Sequence, residues 1–306
     1  MEQEEKEGLI FIIITILIAG AVPIIVKYGA ELVHPLFFAT ISSLIAGGCL
    51  LVLSLANSSW KTLFHKEYIL QLFLIGFFGI TLANILFFFG VTFTSGINSS
   101  ILLQVEPLYG IFIGYILLHE KITLKQIFLT FIIIIGTLVV ISKIKFSFNW
   151  GDLLILLTPI CWQLTHFLSK RLLRLSKEIT PLLIATARTF YGGIFLFFIS
   201  NIVGVTQFNR LLSSKILLII LFQGVIGFAL HYFIWYEAIK RINLSKATAL
   251  ISIYPTFSII LAMLVLREVP AFYQIIGFFI ILIGIFGLAR IKSEQRDKVT
   301  SRYPSV

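Results

Sequence analysis

The chain has 306 residues, is 58% apolar with a mean hydropathy of +1.03, and carries a formal net charge of +10. Ordinary soluble domains are roughly 45–50% apolar, so this composition excludes one. The basic charge argues for no nucleic-acid partner either, because it is dispersed among short loops between apolar runs.

Those runs are about twenty residues long, the length of a helix crossing a ~30 Å hydrocarbon core. In chain order ten are expected: 9–27, 35–56, 69–91, 97–118, 124–142, 152–172, 180–202, 215–238, 246–266 and 271–290. All are read as helices, since lipid offers no partner to an open strand edge. β-rich stretches such as Phe131-Ile132-Ile133-Ile134-Ile135 do not change that. The leading Glu2-Gln3-Glu4-Glu5-Lys6-Glu7 is acidic, unlike a cleavable signal, so the first span is expected to stay. The charged, polar segment 291–306 is expected to be a disordered cytoplasmic tail.

Lysine and arginine split 17 against 6 between alternate span ends, with Arg188 alone inside a span. The rich side holds Lys6, Lys61, Lys66, Lys121, Lys125, Lys170, Arg171, Arg174, Lys177, Lys240, Arg241, Lys246 and the tail. The poor side holds Lys27, Lys143, Lys145, Arg210, Lys215 and Arg267. By the positive-inside rule both termini are expected in the cytoplasm. The same charge suits contact with anionic membrane lipid. Cys49 and Cys161 lie within spans and are expected to be buried fillers, with no disulfide, metal or cofactor implied.

The chain contains itself twice. Residues 76–141 lie over 224–289 at a constant shift of 148, with no gap. Gly76, Gly79, Pro107, Leu118, Glu120, Gln126 and Gly136 fall on Gly224, Gly227, Pro255, Leu266, Glu268, Gln274 and Gly284. Earlier, Gly8 matches Gly151 at a shift of 143, and Pro35, Ala39, Thr40 and Gly47 match Pro181, Ala185, Thr186 and Gly193 at 146. The halves are expected as five-helix repeats, 8–143 and 151–290. An odd span count per half turns the second copy upside down. Inverted repeats of this kind place a substrate site where the copies meet.

Several residues are candidates for that site. Pro107 and Pro255 sit mid-span at equivalent positions and free the carbonyls of Leu103 and Ile251. Glu106, beside Pro107, is an intramembrane acid, which marks a pathway, a proton relay or a structural ion pair. Arg188, similarly deep, is its candidate ion-pair partner. His231, Tyr232, Trp235 and Tyr236 form i,i+4 pairs on a broad helix face, and Asn84 is the counterpart of Tyr232. Such a face lines a cavity or, near a span end, belongs to an interfacial belt, which suits Tyr236. Trp162, Gln163 and His166 either line the cavity or bond neighbouring helices. Trp60, Tyr68, Trp150 and Tyr273 read as belt anchors. Gly110 and Gly114, with their counterparts Ser258 and Ala262, predict a close crossing of helices 97–118 and 246–266. Glu120 and Glu268 close their spans and are expected to bind loop backbone.

Taken in order, these motifs resemble the EamA-like branch of the drug/metabolite transporter superfamily. They are Glu106-Pro107 followed by Leu117-Leu118-His119-Glu120, and the echo Tyr254-Pro255 followed by Leu266-Arg267-Glu268. Gly151-Asp152-Leu153-Leu154, Pro181 with Arg188, and Trp235 with Ala238 complete the set. The resemblance spans residues 8–290. It implies a ten-helix inverted-repeat bundle whose central cavity is walled by helices one, three, four, six, eight and nine. Two departures stand out: the family's glycine before the terminal glutamate is His119 here, and Arg267 in the echo. The resulting expectation is an all-α secondary transporter in a plasma membrane, moving a small organic metabolite or drug by alternating access. A channel or a membrane-embedded enzyme is the alternative. Substrate contacts are expected from Glu106, Asn84, His231, Tyr232 and Trp235, then Gln163 and His166. Protons are a candidate coupling ion, and both monomer and homodimer stay open.

Overall fold

A computed structural model describes residues 3–56, 60–118, 123–142, 149–176, 178–242, 247 and 250–302. Among them there are helices and turns and no strand. In chain order the long helices are α1 (Gln3–Ala30), α2 (Pro35–Ala56), α3 (Ile69–Phe93), α4 (96–118), α5 (Leu124–Ser142) and α6 (Trp150–Leu175). They continue with α7 (Pro181–Ile202), α8 (Ser214–Arg241), α9 (Tyr254–Leu266) and α10 (Phe272–Arg302). Seven helical stretches, within α1, α2, α3, α5, α6, α7 and α8, are long and apolar enough to cross a membrane; α9 and the apolar part of α10 are shorter. Large apolar side chains face outward, among them Ile13 at 60% exposure, Leu70 at 66% and Phe128 at 65%. A surface of that kind needs lipid against it.

Local chemistry sets the helix ends. Thr180 accepts from Leu183 N at 3.1 Å, with Pro181 in the first turn of α7. Asn149 Oδ1 accepts from Gly151 N at 2.8 Å to start α6. The start of α4 is satisfied completely. Ser95 Oγ takes Asn98 N at 3.0 Å and Ser95 O takes Ser99 N at 2.9 Å. The Glu268 carboxylate, from beyond α9, takes Gly96 N at 2.9 Å and Ile97 N at 3.0 Å. Glu268 thus binds loop backbone as its position suggests, and does so across the two halves. Glu120 and the loop 143–148 lie outside the described residues.

Among the described residues three spans read as regular helices contain a π turn: Phe77–Leu82 in α3, Phe222–Leu230 in α8 and Ala262–Leu266 at the end of α9. A π turn takes in one extra residue and misaligns the carbonyl ladder, and apolar periodicity gives no sign of it. The proline breaks do appear where the repeat puts them. A 3-10 turn at Leu103–Val105 precedes Glu106-Pro107, and Glu106 N takes up the Leu103 carbonyl. The matching break at 252–253 precedes Tyr254-Pro255. Chain order misleads at the end: α10 runs on to Arg302 instead of stopping near 290, since neither glycine nor proline interrupts 288–303.

The most extensive packing joins α2 to α7, α5 to α10, α3 to α6 and α1 to α8. These contacts repeat between the halves. A Cβ built on Gly47 would lie 3.0 Å from Phe190 Cα, and one on Gly193 would lie 3.2 Å from Leu44 N. A Cβ on Gly136 would meet Ile281 at 2.8 Å, and one on its counterpart Gly284 would meet Ile133 at 2.5 Å. The predicted crossing is displaced: α4 meets α9 through its first turns, 96–102, and not at Gly110 and Ser258. Gly110 faces Gln163 of α6, while Ser258 donates to Gly20 O of α1 at 2.7 Å. Small residues do allow close approach there, but to α6 and α1. Two smaller expectations also change. Cys161 is buried but Cys49 is exposed on the outer face of α2, and the expected belt residue Tyr68 is buried.

Candidate functional site

A partly open cavity lies inside the bundle, its empty space together with the solvent at its mouth amounting to about 830 Å³. Its wall draws on α1 (Ala19, Val22, Pro23), α3 (Asn84, Phe87), α4 (Leu103, Gln104, Glu106, Pro107) and α6 (Trp162, His166). The remainder comes from α7 (Arg188), α8 (Gly227, Phe228, His231, Tyr232, Trp235) and the segment into α9 (Ile251, Ser252, Tyr254). The six helices implied by the family resemblance all contribute, and α7 adds Arg188.

Of the residues singled out from sequence, the cavity brings together Glu106, Pro107, Asn84, His166, Arg188, His231, Tyr232 and Trp235. Gln163 stands behind the wall and donates from Nε2 to Glu106 Oε1 at 2.9 Å. Pro255 is buried beside Tyr254 and does not line the cavity. Asn84 lines it while donating to Ser43 Oγ at 3.3 Å.

The expected ion pair between Glu106 and Arg188 is not formed. The nearest ionisable partner of Glu106 is His166, whose Nε2 lies 3.3 Å from Oε1. Arg188, 1% exposed, donates from Nη2 to Gly79 O at 3.0 Å, from Nε to the same oxygen at 3.3 Å, and from Nη1 to Tyr236 Oη at 3.1 Å. Its guanidinium also lies 3.9 Å from the centroid of the Tyr232 ring. Gly79 lies within the π turn of α3, and the planar fork of Arg188 reaches its carbonyl with two N–H groups. Tyr236 is consequently no belt residue. It is fully buried, and its hydroxyl accepts from Arg188 and from Ser169 Oγ at 3.3 Å.

Aromatic groups complete the wall. Phe228 and Tyr232 stack at 5.6 Å, one turn apart on α8, and His231 stacks on Tyr232 at 5.3 Å. Trp235 Nε1 donates to His166 Nδ1 at 3.2 Å. Sequence reasoning missed Phe87, Gln104, Phe228 and Tyr254. Tyr254 had a signal, as the repeat counterpart of Glu106; Gln104 had one too, lying in the polar half of its span.

A helical multi-pass bundle with a largely apolar cavity carrying a few polar groups is the build of a membrane transporter. The model of the EamA-like transporter family matches the chain twice, over residues 6–142 and 149–290, and the protein belongs to that family. It is 27% identical over 260 residues to the uncharacterized transporter YyaM of Bacillus subtilis, covering 81% of this chain and 83% of that one. With the uncharacterized transporter YetK of the same organism it shares 24% over 288 residues, covering 92% and 86%. A solved crystal structure superposes with a TM-score of 0.69 at 13% identity, over 95% of this chain and 98% of the other, and so shares the fold.

Proposed function

We propose that this protein is a secondary transporter of the plasma membrane. It moves a small organic molecule by alternating access, through the cavity between two inverted five-helix repeats that together make ten membrane helices. One observation carries the reading: a cavity built from both repeats holds a carboxylate and a guanidinium deep within the bundle. Intramembrane ionisable groups are costly to keep and mark substrate or ion pathways.

The inverted arrangement is supported by the exchange of contacts. Gly47 approaches Phe190 as Gly193 approaches Leu44, and Gly136 approaches Ile281 as Gly284 approaches Ile133. Such reciprocity follows from a two-fold relation, and two copies of five spans related in that way run in opposite directions. Cytoplasmic termini follow from the charge split in the loops. Proton coupling through Glu106 belongs to this reading, and the protein works as a monomer or a homodimer.

Purified protein in proteoliposomes, presented with a mixture of metabolites and read by mass spectrometry, tests the reading. Saturable flux of at least one solute, abolished by Glu106→Gln in a protein that still folds, is the expected result. Flux that rises linearly without saturation identifies a channel. Chemical conversion of a solute identifies an enzyme. Either outcome overturns the proposal.

A further inference from the structure

Glu106 is held by one oxygen only. Its Oε1 accepts from Gln163 Nε2 at 2.9 Å and faces His166 Nε2 at 3.3 Å. A neutral imidazole has one N–H and one lone pair, whereas an indole nitrogen only donates. Trp235 Nε1 donates to His166 Nδ1, so Nδ1 is the acceptor and the imidazole proton sits on Nε2, pointing at Glu106. The indole selects the tautomer that clamps the carboxylate. Among the described residues Glu106 Oε2 accepts no hydrogen bond, and the side chain keeps 18% exposure in the cavity wall.

The positive charge on the wall is disposed differently. Arg188 has spent three of its five N–H groups on Gly79 O and Tyr236 Oη, and its face lies on Tyr232. An anion entering the cavity meets a guanidinium already engaged and the open lone pairs of a carboxylate. A cation meets that oxygen and the aromatic side chains of Phe87, Phe228 and Trp235. Two buried donors on the same wall, Trp162 Nε1 and Gln104 Nε2, have no partner among the described residues and suit an acceptor elsewhere on the substrate.

We infer that Glu106 Oε2 receives the protonated amine of an organic substrate with an apolar or aromatic body. His166, neutral and fixed by Trp235, is the positioning residue that presents it. The inference rests on the cavity being the transport site.

The test uses the full chain in nanodiscs and three probes of similar shape: tryptamine, indole-3-propionate and the neutral 3-ethylindole. Tryptamine is expected to bind about tenfold or more tighter than the propionate, the scale of one charge-assisted hydrogen bond. Glu106→Gln should remove that preference and leave 3-ethylindole binding unchanged. Trp235→Phe keeps the ring and loses the N–H. It should weaken tryptamine about threefold relative to 3-ethylindole. In nitrogen-15 spectra of histidine-labelled protein, it should also replace one imidazole with an unprotonated Nδ1 by a mixture of tautomers. If Glu106→Gln fails to fold, the wild-type preference and the Trp235→Phe spectra decide the matter.

Absence of tryptamine binding at millimolar concentration overturns the inference. So does propionate binding as tight as tryptamine, or a His166 proton found on Nδ1. Saturable transport of carboxylates that ignores amines would sink this inference and leave the transporter reading standing. Absence of any saturable flux would remove the transporter reading itself.

Discussion

Cutting Glu268 back to alanine would strip the start of α4 of two acceptors at once. Gly96 N and Ile97 N are buried, and both lie within 3.0 Å of the carboxylate. Each N–H left without a partner costs about 1–3 kcal/mol, and the lost anion at a helix N-terminus adds about 0.3–1 kcal/mol. Glu268 is itself partly exposed and water refills some of the gap, so the lower half of that range applies, about 2–4 kcal/mol. Glu268→Gln keeps one acceptor and should lose about half as much. Ser95→Ala, which removes the acceptor of Asn98 N, should cost about 1 kcal/mol and come close to adding to the glutamate effect, because it serves a different N–H. Equilibrium unfolding in mixed micelles of SDS and a mild detergent reads all three. A Glu268→Ala protein within ~0.5 kcal/mol of wild type, the scatter of ordinary surface changes, would refute this account of how α4 begins.

Arg267 is left-handed, with φ 57°, at the end of α9, where the family resemblance expects glycine. Arg267→Gly should therefore stabilise by about 1 kcal/mol in the same assay. Gly192→Ala places a Cβ 2.3 Å from Ile80 Cβ and 2.7 Å from Gly76 O, and should destabilise by about 3 kcal/mol or prevent folding. Gly48→Ala meets nothing within 4 Å and should be neutral or stabilise by up to ~1 kcal/mol, so equal thermal behaviour of the two variants would discredit the packing. His34, in the loop before α2, accepts from Leu36 N through Nδ1, and burial holds its pKa below the ordinary 6.5. The unfolded chain thus binds the proton more readily. The stability His34 confers is complete above pH 6.5 and is lost as pH falls below it; unfolding measured from pH 7.5 to 5 should show this loss reduced in His34→Asn.

The repeat was legible because packing left its mark at fixed spacing. Glycines that must admit another helix recur at shifts of 146 and 148, as do the prolines that break α4 and the helix leading into α9. The aromatic face of α8 was legible as i,i+4 pairs of polar-tipped rings. Depth along a span can also be read from sequence, which put Glu106 and Arg188 at similar levels. Direction around the helix axis is harder to read, and pairing depends on it. Arg188 takes Gly79 O in the π turn of α3, and Glu106 is left to α6. Gly110 fails to meet its expected partner for the same reason: small residues signal a close neighbour without saying which.

The crossing of α2 and α7 at Gly47 and Gly193 is made of main chain against main chain. Interdigitated side chains resist motion because each must leave one socket and find another. Two bare backbones in contact have no sockets. They cannot move closer, and buried hydroxyls on either side, Thr186 bonded to Ser54 Oγ at 2.8 Å and Leu50 O at 3.3 Å and Thr40 donating to Leu196 O at 3.4 Å, hold their angle. A junction of that kind behaves as a rivet, and it holds the two halves of the molecule at one spacing beside the cavity.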